Sequence, residues 1–154
     1  MTLYPALISR LKTQHESLPV IIANLNQTQL EQNPVPGKWS IRDNIAHLAC
    51  YQPMFIARMH RILEQDGVTF DRYNADIDPE FPDWQKRGVD DLLNQIAIDR
   101  QTIISLITNL QPKQLSRTGI HPKYGKLTIA EWAEFFLLHE AHHLFAIFQL
   151  VDRQ

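Results

Sequence analysis

His139 and His143 stand four residues apart in a stretch, Thr128 to Leu150, that otherwise reads as an apolar, core-facing helix. At about 100° per residue, the two imidazoles fall about 40° apart on one helical face. Trp132, Phe135, Phe136, Ala146 and Leu150 lie within about 60° of the same direction, so both rings point into the core. Neutral imidazoles buried without partners destabilise a fold. Two histidines at i and i+4 can instead chelate one divalent metal, and the cost of burial becomes binding energy.

The run His139-Glu140-Ala141-His142-His143 also satisfies the H-E-x-x-H pattern of zinc metalloproteases, in which the glutamate acts as general base. That mechanism needs a third ligand, commonly supplied downstream, and after His143 only Asp152, at the end of the chain, has the right chemistry. A third ligand must therefore come from upstream, and the match reads as accidental. Glu140 is rotated about 100° from His139, towards the flank, where a solvated or salt-bridged carboxylate is expected.

The upstream candidate is His47, on the face of a second helix that also carries Asn44, Tyr51 and Met54. Alone it reads more simply as a hydrogen-bonded helix histidine. His142 lies about 60° from His139, away from His143, and reads as a surface or supporting residue. His121 and Tyr124, in a turn before the last helix, fit a pocket mouth or a plain proline turn equally well. Cys50 reads as a small buried hydrophobe, and Trp39 and Trp132 as packing at helix entrances. Trp84 fits either a loop clamp or a pocket cover.

These residues must be positioned by helices. Apolar residues recur at helical spacing in four long segments and nowhere alternate over more than a few positions, which predicts an all-α fold. The first helix is expected from about Pro5 to Asn26, kinked or split at Pro19. Ser40 and Asp43 resemble a capping box opening a second helix from about Ile41 to Glu64. A third is expected from about Asp90 to Leu110, and Thr128 with Glu131 caps a fourth. The stretches 66–87 and 111–127 read as irregular connections, which a four-helix bundle with a long crossover accommodates.

With 154 residues the chain fits a single domain, 1–154, able to bury its own core. A net charge of −2 with scattered Lys and Arg gives no footprint for nucleic acid. One cysteine excludes an internal disulfide framework and fits a reducing compartment. No basic N-terminal leader or membrane-length apolar run is visible. The expectation is a soluble cytoplasmic protein.

Two blocks carry a family resemblance: Pro36-Gly-Lys-Trp-Ser-Ile-Arg-Asp-Asn-Ile-Ala-His-Leu48, and His121-Pro-Lys-Tyr-Gly-Lys-Leu-Thr-Ile-Ala-Glu-Trp132 running into His139-Glu-Ala-His-His-Leu144. Together they resemble the DinB/YfiT-like superfamily across nearly the whole chain. The resemblance implies a four-helix bundle that binds a divalent metal through one histidine on the second long helix and two, four apart, on the last. Carried over, the ligands are His47, His139 and His143, with zinc or nickel as the expected ion. Three imidazoles leave a coordination position open, as in catalytic rather than structural sites.

The activities implied are thiol S-transfer with low-molecular-weight thiols such as bacillithiol or mycothiol, a mycothiol-dependent isomerisation, or metal-dependent hydrolysis. The common chemistry is a metal that lowers the pKa of a bound thiol or water on the way to a small-molecule substrate. No general base is assigned. The alternative is a non-catalytic metal-binding stress-response or ligand-binding module. Helix four is also apolar on its back, at Leu137, Leu138, Phe145 and Phe148, which predicts a homodimer.

Overall fold

Two capping boxes set the helices that carry the histidines. Ser40 Oγ accepts from the backbone N–H of Asp43 at 3.0 Å, and the Asp43 carboxylate accepts from Ser40 N at 2.9 Å. The helix so opened, α4, spans Ile41–Glu64. Thr128 and Glu131 repeat the motif and open α8, Ile129–Val151. Each box satisfies N-terminal donors that a helix cannot satisfy itself. The structure is a computed structural model and describes residues 2–153.

The first expected helix is broken into α1 (Pro5–Thr13), a 3-10 turn at Gln14–Glu16, and α2 (Ser17–Ile21). The break precedes Pro19 rather than falling on it. Pro19 sits in the first turn of α2, where its missing N–H costs nothing. A short α3 (Gln27–Glu31) follows. The crossover after α4 contains β1 (Val68–Thr69), a 3-10 turn at Ala75–Ile77 and α5 (Phe81–Gln85), and leads into α6, Val89–Thr108. A further turn, α7 (Pro112–Leu115), precedes β2 (Thr118–His121) and β3 (Gly125–Thr128).

α1, α4, α6 and α8 form the bundle: α4 packs on α6 and α8, and α1 packs on the same two from the far side. That adjacency of α4 and α8 brings His47 opposite His139 and His143. The helices bury Leu11, Ile45, Phe55, Met59, Leu92, Ile103, Trp132 and Phe136, whereas Ile98, an apolar residue of α6 expected with that set, stands exposed.

The all-α expectation needs one addition, a three-stranded sheet in which β1 runs parallel to β2 and β2 antiparallel to β3. It presses directly on α4, since a Cβ at Gly119 would meet Ile62 and Phe70 side-chain atoms at 2.8 Å. The sheet fixes two segments over the bundle, the chain after β1 and the turn 121–125 between β2 and β3. Both segments border the histidines.

Candidate metal centre

The three histidines converge. One nitrogen from each of His47, His139 and His143 lies within 4.8 Å of the other two. His47 Nε2 and His139 Nε2 are 2.9 Å apart. Two nitrogens bonded at about 2.1 Å to one tetrahedral ion lie about 3.4 Å apart, so side-chain adjustments of up to about an ångström complete the set. His143 Nδ1 is held 2.9 Å from the Asn44 side-chain oxygen, which turns its Nε2 into the cluster. An outer partner of this kind fixes the tautomer of a ligating histidine.

All three rings are neutral at pH 7. Burial drives the His47 pKa down to about 3, His139 to about 2 and His143 to about 4, with neighbouring imidazoles adding to the depression. Each therefore offers a lone pair. Burial leaves His47 Nδ1 and His139 Nδ1 without hydrogen-bond partners. The Nε2 atoms of His47 and His139 face one another and His143 brings a third nitrogen to them, so three lone pairs on neutral rings meet at one place, an arrangement that fits a divalent ion.

Aromatic rings wall the cluster. Trp39 lies 4.9 Å from the His47 ring and stacks at 6.0 Å on His143, and Tyr73 stacks on His47 at 5.7 Å. Tyr51 lies 4.2 Å from His139. Burial raises the pKa of both Tyr51 and Tyr73, so both phenols stay protonated. Tyr73 also faces Cys50, whose Sγ is 3.4 Å from its hydroxyl and whose thiol burial likewise keeps protonated. Cys50 thus sits behind Tyr73 rather than among the ligand atoms.

A cleft of about 330 Å³ opens onto the cluster, bounded by Tyr73 and Asp76 on one side and by His121, Lys123 and Tyr124 on the other. His121 Nδ1 accepts the backbone N–H of both Lys123 and Tyr124 at 3.1 Å, so its Nε2 carries the ring proton. The loop histidine and tyrosine thus belong to the mouth of the cleft. Trp39 is more than helix-end packing, since it forms part of the cleft wall. Trp132 is packing, fully buried with its indole N–H donating to Gly119 O at 3.3 Å. Trp84 clamps the crossover, with Arg87 stacked 3.9 Å from its ring.

Glu140 does not join the cluster. Its carboxylate pairs with Arg100 and accepts from Gln14 at 3.3 Å, deep in the bundle. The flank it occupies is buried, at 2% exposure, so the carboxylate is salt-bridged rather than solvated. The H-E-x-x-H base is thereby committed elsewhere. His142 is exposed, its ring 5.2 Å from His143 and outside the three-nitrogen group. Sequence reading missed Arg58 and Tyr73 as cleft residues. Arg58 was accessible to it, since eleven residues from His47 restore nearly the same helical face; Tyr73 arrives on an irregular segment with no periodicity to read.

Fold and cluster together define a four-helix bundle with an open three-histidine centre between α4 and α8. The chain belongs to the DinB superfamily, whose sequence model matches residues 10–147. It is 27% identical over 143 residues to a protein of Oceanobacillus iheyensis named "Putative metal-dependent hydrolase", covering 90% of this chain and 83% of that one. It is 26% identical over 148 residues to the uncharacterized YuaE of Bacillus subtilis, covering 88% of each. Among solved structures it superposes on YfiT from Bacillus subtilis with a TM-score of 0.84, covering 96% of this chain and 85% of that one at 21% identity. That structure is described as a "probable metal-dependent hydrolase with an unusual four-helix bundle topology".

Proposed function

We propose that the protein is a metal-dependent enzyme in which His47, His139 and His143 hold one divalent ion, zinc or nickel, at the base of a cleft that admits a small molecule. The observation that carries this reading is the convergence of three neutral imidazoles, two buried and one half-buried, on an open cleft. A divalent ion held there would lower the pKa of a thiol or water and furnish a nucleophile at neutral pH. The chain's own contribution is positioning and exclusion of water. Asn44 orients His143, the Trp39 and Tyr73 rings shield the cluster, and His121 presents an N–H at the mouth.

The names of the relatives favour hydrolysis. Thiol S-transfer fits the same centre, because a transferase needs only the ion and a pocket for the thiol. The test is turnover by zinc- or nickel-loaded and chelator-treated protein, run against simple esters and amides and against bacillithiol, mycothiol or glutathione with an electrophile. Metal-dependent turnover in either arm is expected and names the reaction type. Metal binding without turnover in any arm would replace the enzyme with a metal-binding ligand module.

A homodimer through the back of α8 is also proposed. It is supported by Leu138, Phe145 and Phe148, which stand 62%, 61% and 58% exposed there. Light scattering at micromolar concentration should give twice the chain mass; the mass of one chain would reject it.

A further inference from the structure

Arg58 lies on α4 eleven residues after His47 and borders the same cleft. It is only 8% exposed. Its guanidinium lies 5.3 Å from the Phe70 ring and 5.6 Å from that of Trp132, and donates to Asp71 O at 3.1 Å. It shares the cleft wall with the Tyr51 phenol. Among the described residues no carboxylate pairs with it, whereas Arg10, Arg42 and Arg100 each have a glutamate. A guanidinium taken out of water without a counter-charge is costly. The open space Arg58 borders is the cleft.

The rest of the cleft has the same sign. Arg72 and Lys123 also border it, against a single carboxylate, Asp76. Arg58 lines the same cleft as the three histidines and as His121 at its mouth. Of its five N–H donors, the Asp71 carbonyl engages only one. The planar fork of arginine matches two oxygens of a carboxylate or phosphate.

We propose that Arg58, assisted by Lys123, is the anion-recognition element of the cleft, so that the molecule acted on at the histidines carries a carboxylate or phosphate group. This rests on the reading of the cleft as a metal-dependent site. The anion would anchor the substrate beside the histidines while its reacting bond faces them. Lys123, on an exposed turn, adds attraction at the entrance, and Arg58 supplies the specific hydrogen bonds.

Metal-free protein titrated with inorganic phosphate, succinate and, as neutral control, glycerol tests this directly, read by the NMR shifts of the backbone amides of residues 121–125. Saturable shifts with phosphate or succinate and none with glycerol are expected, and the two anions distinguish phosphate from carboxylate recognition. Arg58→Gln should weaken binding at least about tenfold, the loss of a charge-assisted hydrogen bond, with Arg58→Lys intermediate and Lys123→Ala a few-fold weaker. Should Arg58→Gln not fold, Arg58→Lys and the exposed Lys123→Ala decide. No saturable shift with either anion, or shifts that these variants leave unchanged, would overturn the proposal. Because the titration uses no metal, anion binding by a protein that takes up no ion would sink the metal reading alone, and metal uptake without anion binding would sink this one alone.

Discussion

α8 places two adjacent residues, His139 and Glu140, in two buried polar clusters of opposite design. Glu140 belongs to a closed one. Arg100, with no exposed surface, pairs with Glu140, donates to Leu11 O at 3.2 Å, approaches Gln52 Oε1 at 3.4 Å and stacks 4.8 Å from Phe136. Every charge there has a protein partner. His139 belongs to an open cluster, where neutral rings crowd one another, ring nitrogens converge with no charged group of the protein to claim their lone pairs, and a cleft leads out. A fold that gives every charge in one cluster a partner and in the other gathers lone pairs at the base of a cleft marks the second as the place where something else binds.

The sharpest way to break this contrast is Glu140→Ala. Leaving Arg100 buried and unpaired should cost about 3–5 kcal/mol in denaturant unfolding, while the protein that remains folded still binds metal. Normal stability with lost metal-dependent activity would instead make Glu140 the general base of an H-E-x-x-H enzyme. The open cluster predicts a different response. Saturation with zinc at one hundred times its Kd should stabilise the wild type by about 2.7 kcal/mol and leave His139→Ala unmoved, as thermal melting with and without chelator will show.

The neutral imidazoles also give the metal-free protein a pH dependence. The unfolded chain binds protons at the ordinary histidine value of 6.5, whereas His47, His139 and His143 stay neutral until about pH 3, 2 and 4. The folded state therefore loses stability as pH falls below about 6.5, and the loss stops growing only near the folded values. Between pH 7 and 6 these three rings should contribute about 2 kcal/mol of the fall, with His15, held down at about 4 by burial, adding to it; the fall is read from urea midpoints and is reduced in His139→Ala. A rise in stability over that interval would mean the rings are not held neutral. The smallest effect expected is that of Asn44→Ala, which frees the His143 ring and should weaken metal binding about tenfold without unfolding the protein. An unchanged affinity would remove Asn44 from the site.

Much of the open cluster was legible in sequence because its information is local. The i, i+4 spacing of His139 and His143, the capping boxes at Ser40 and Thr128 and the apolar stripes of α4, α6 and α8 each lie within a few helical turns. His47 became more than an ordinary helix histidine only through the two-block family resemblance. The closed cluster was not legible, since the pairing of Arg100 with Glu140 depends on which faces of α6 and α8 meet. The sheet escaped because β1 has two residues and β2 and β3 four each, too short for alternation to register. Trp39 and Tyr73 reach the histidines from irregular segments whose course is set by that sheet and by the bundle end.

Elemental analysis of protein purified without a histidine tag or chelator, run beside His47→Ala and His139→Ala, tests the central claim most directly. The account predicts about one equivalent of zinc or nickel per chain, lost in both variants. A protein that takes up neither ion when offered, or one whose metal content survives both substitutions, would contradict it.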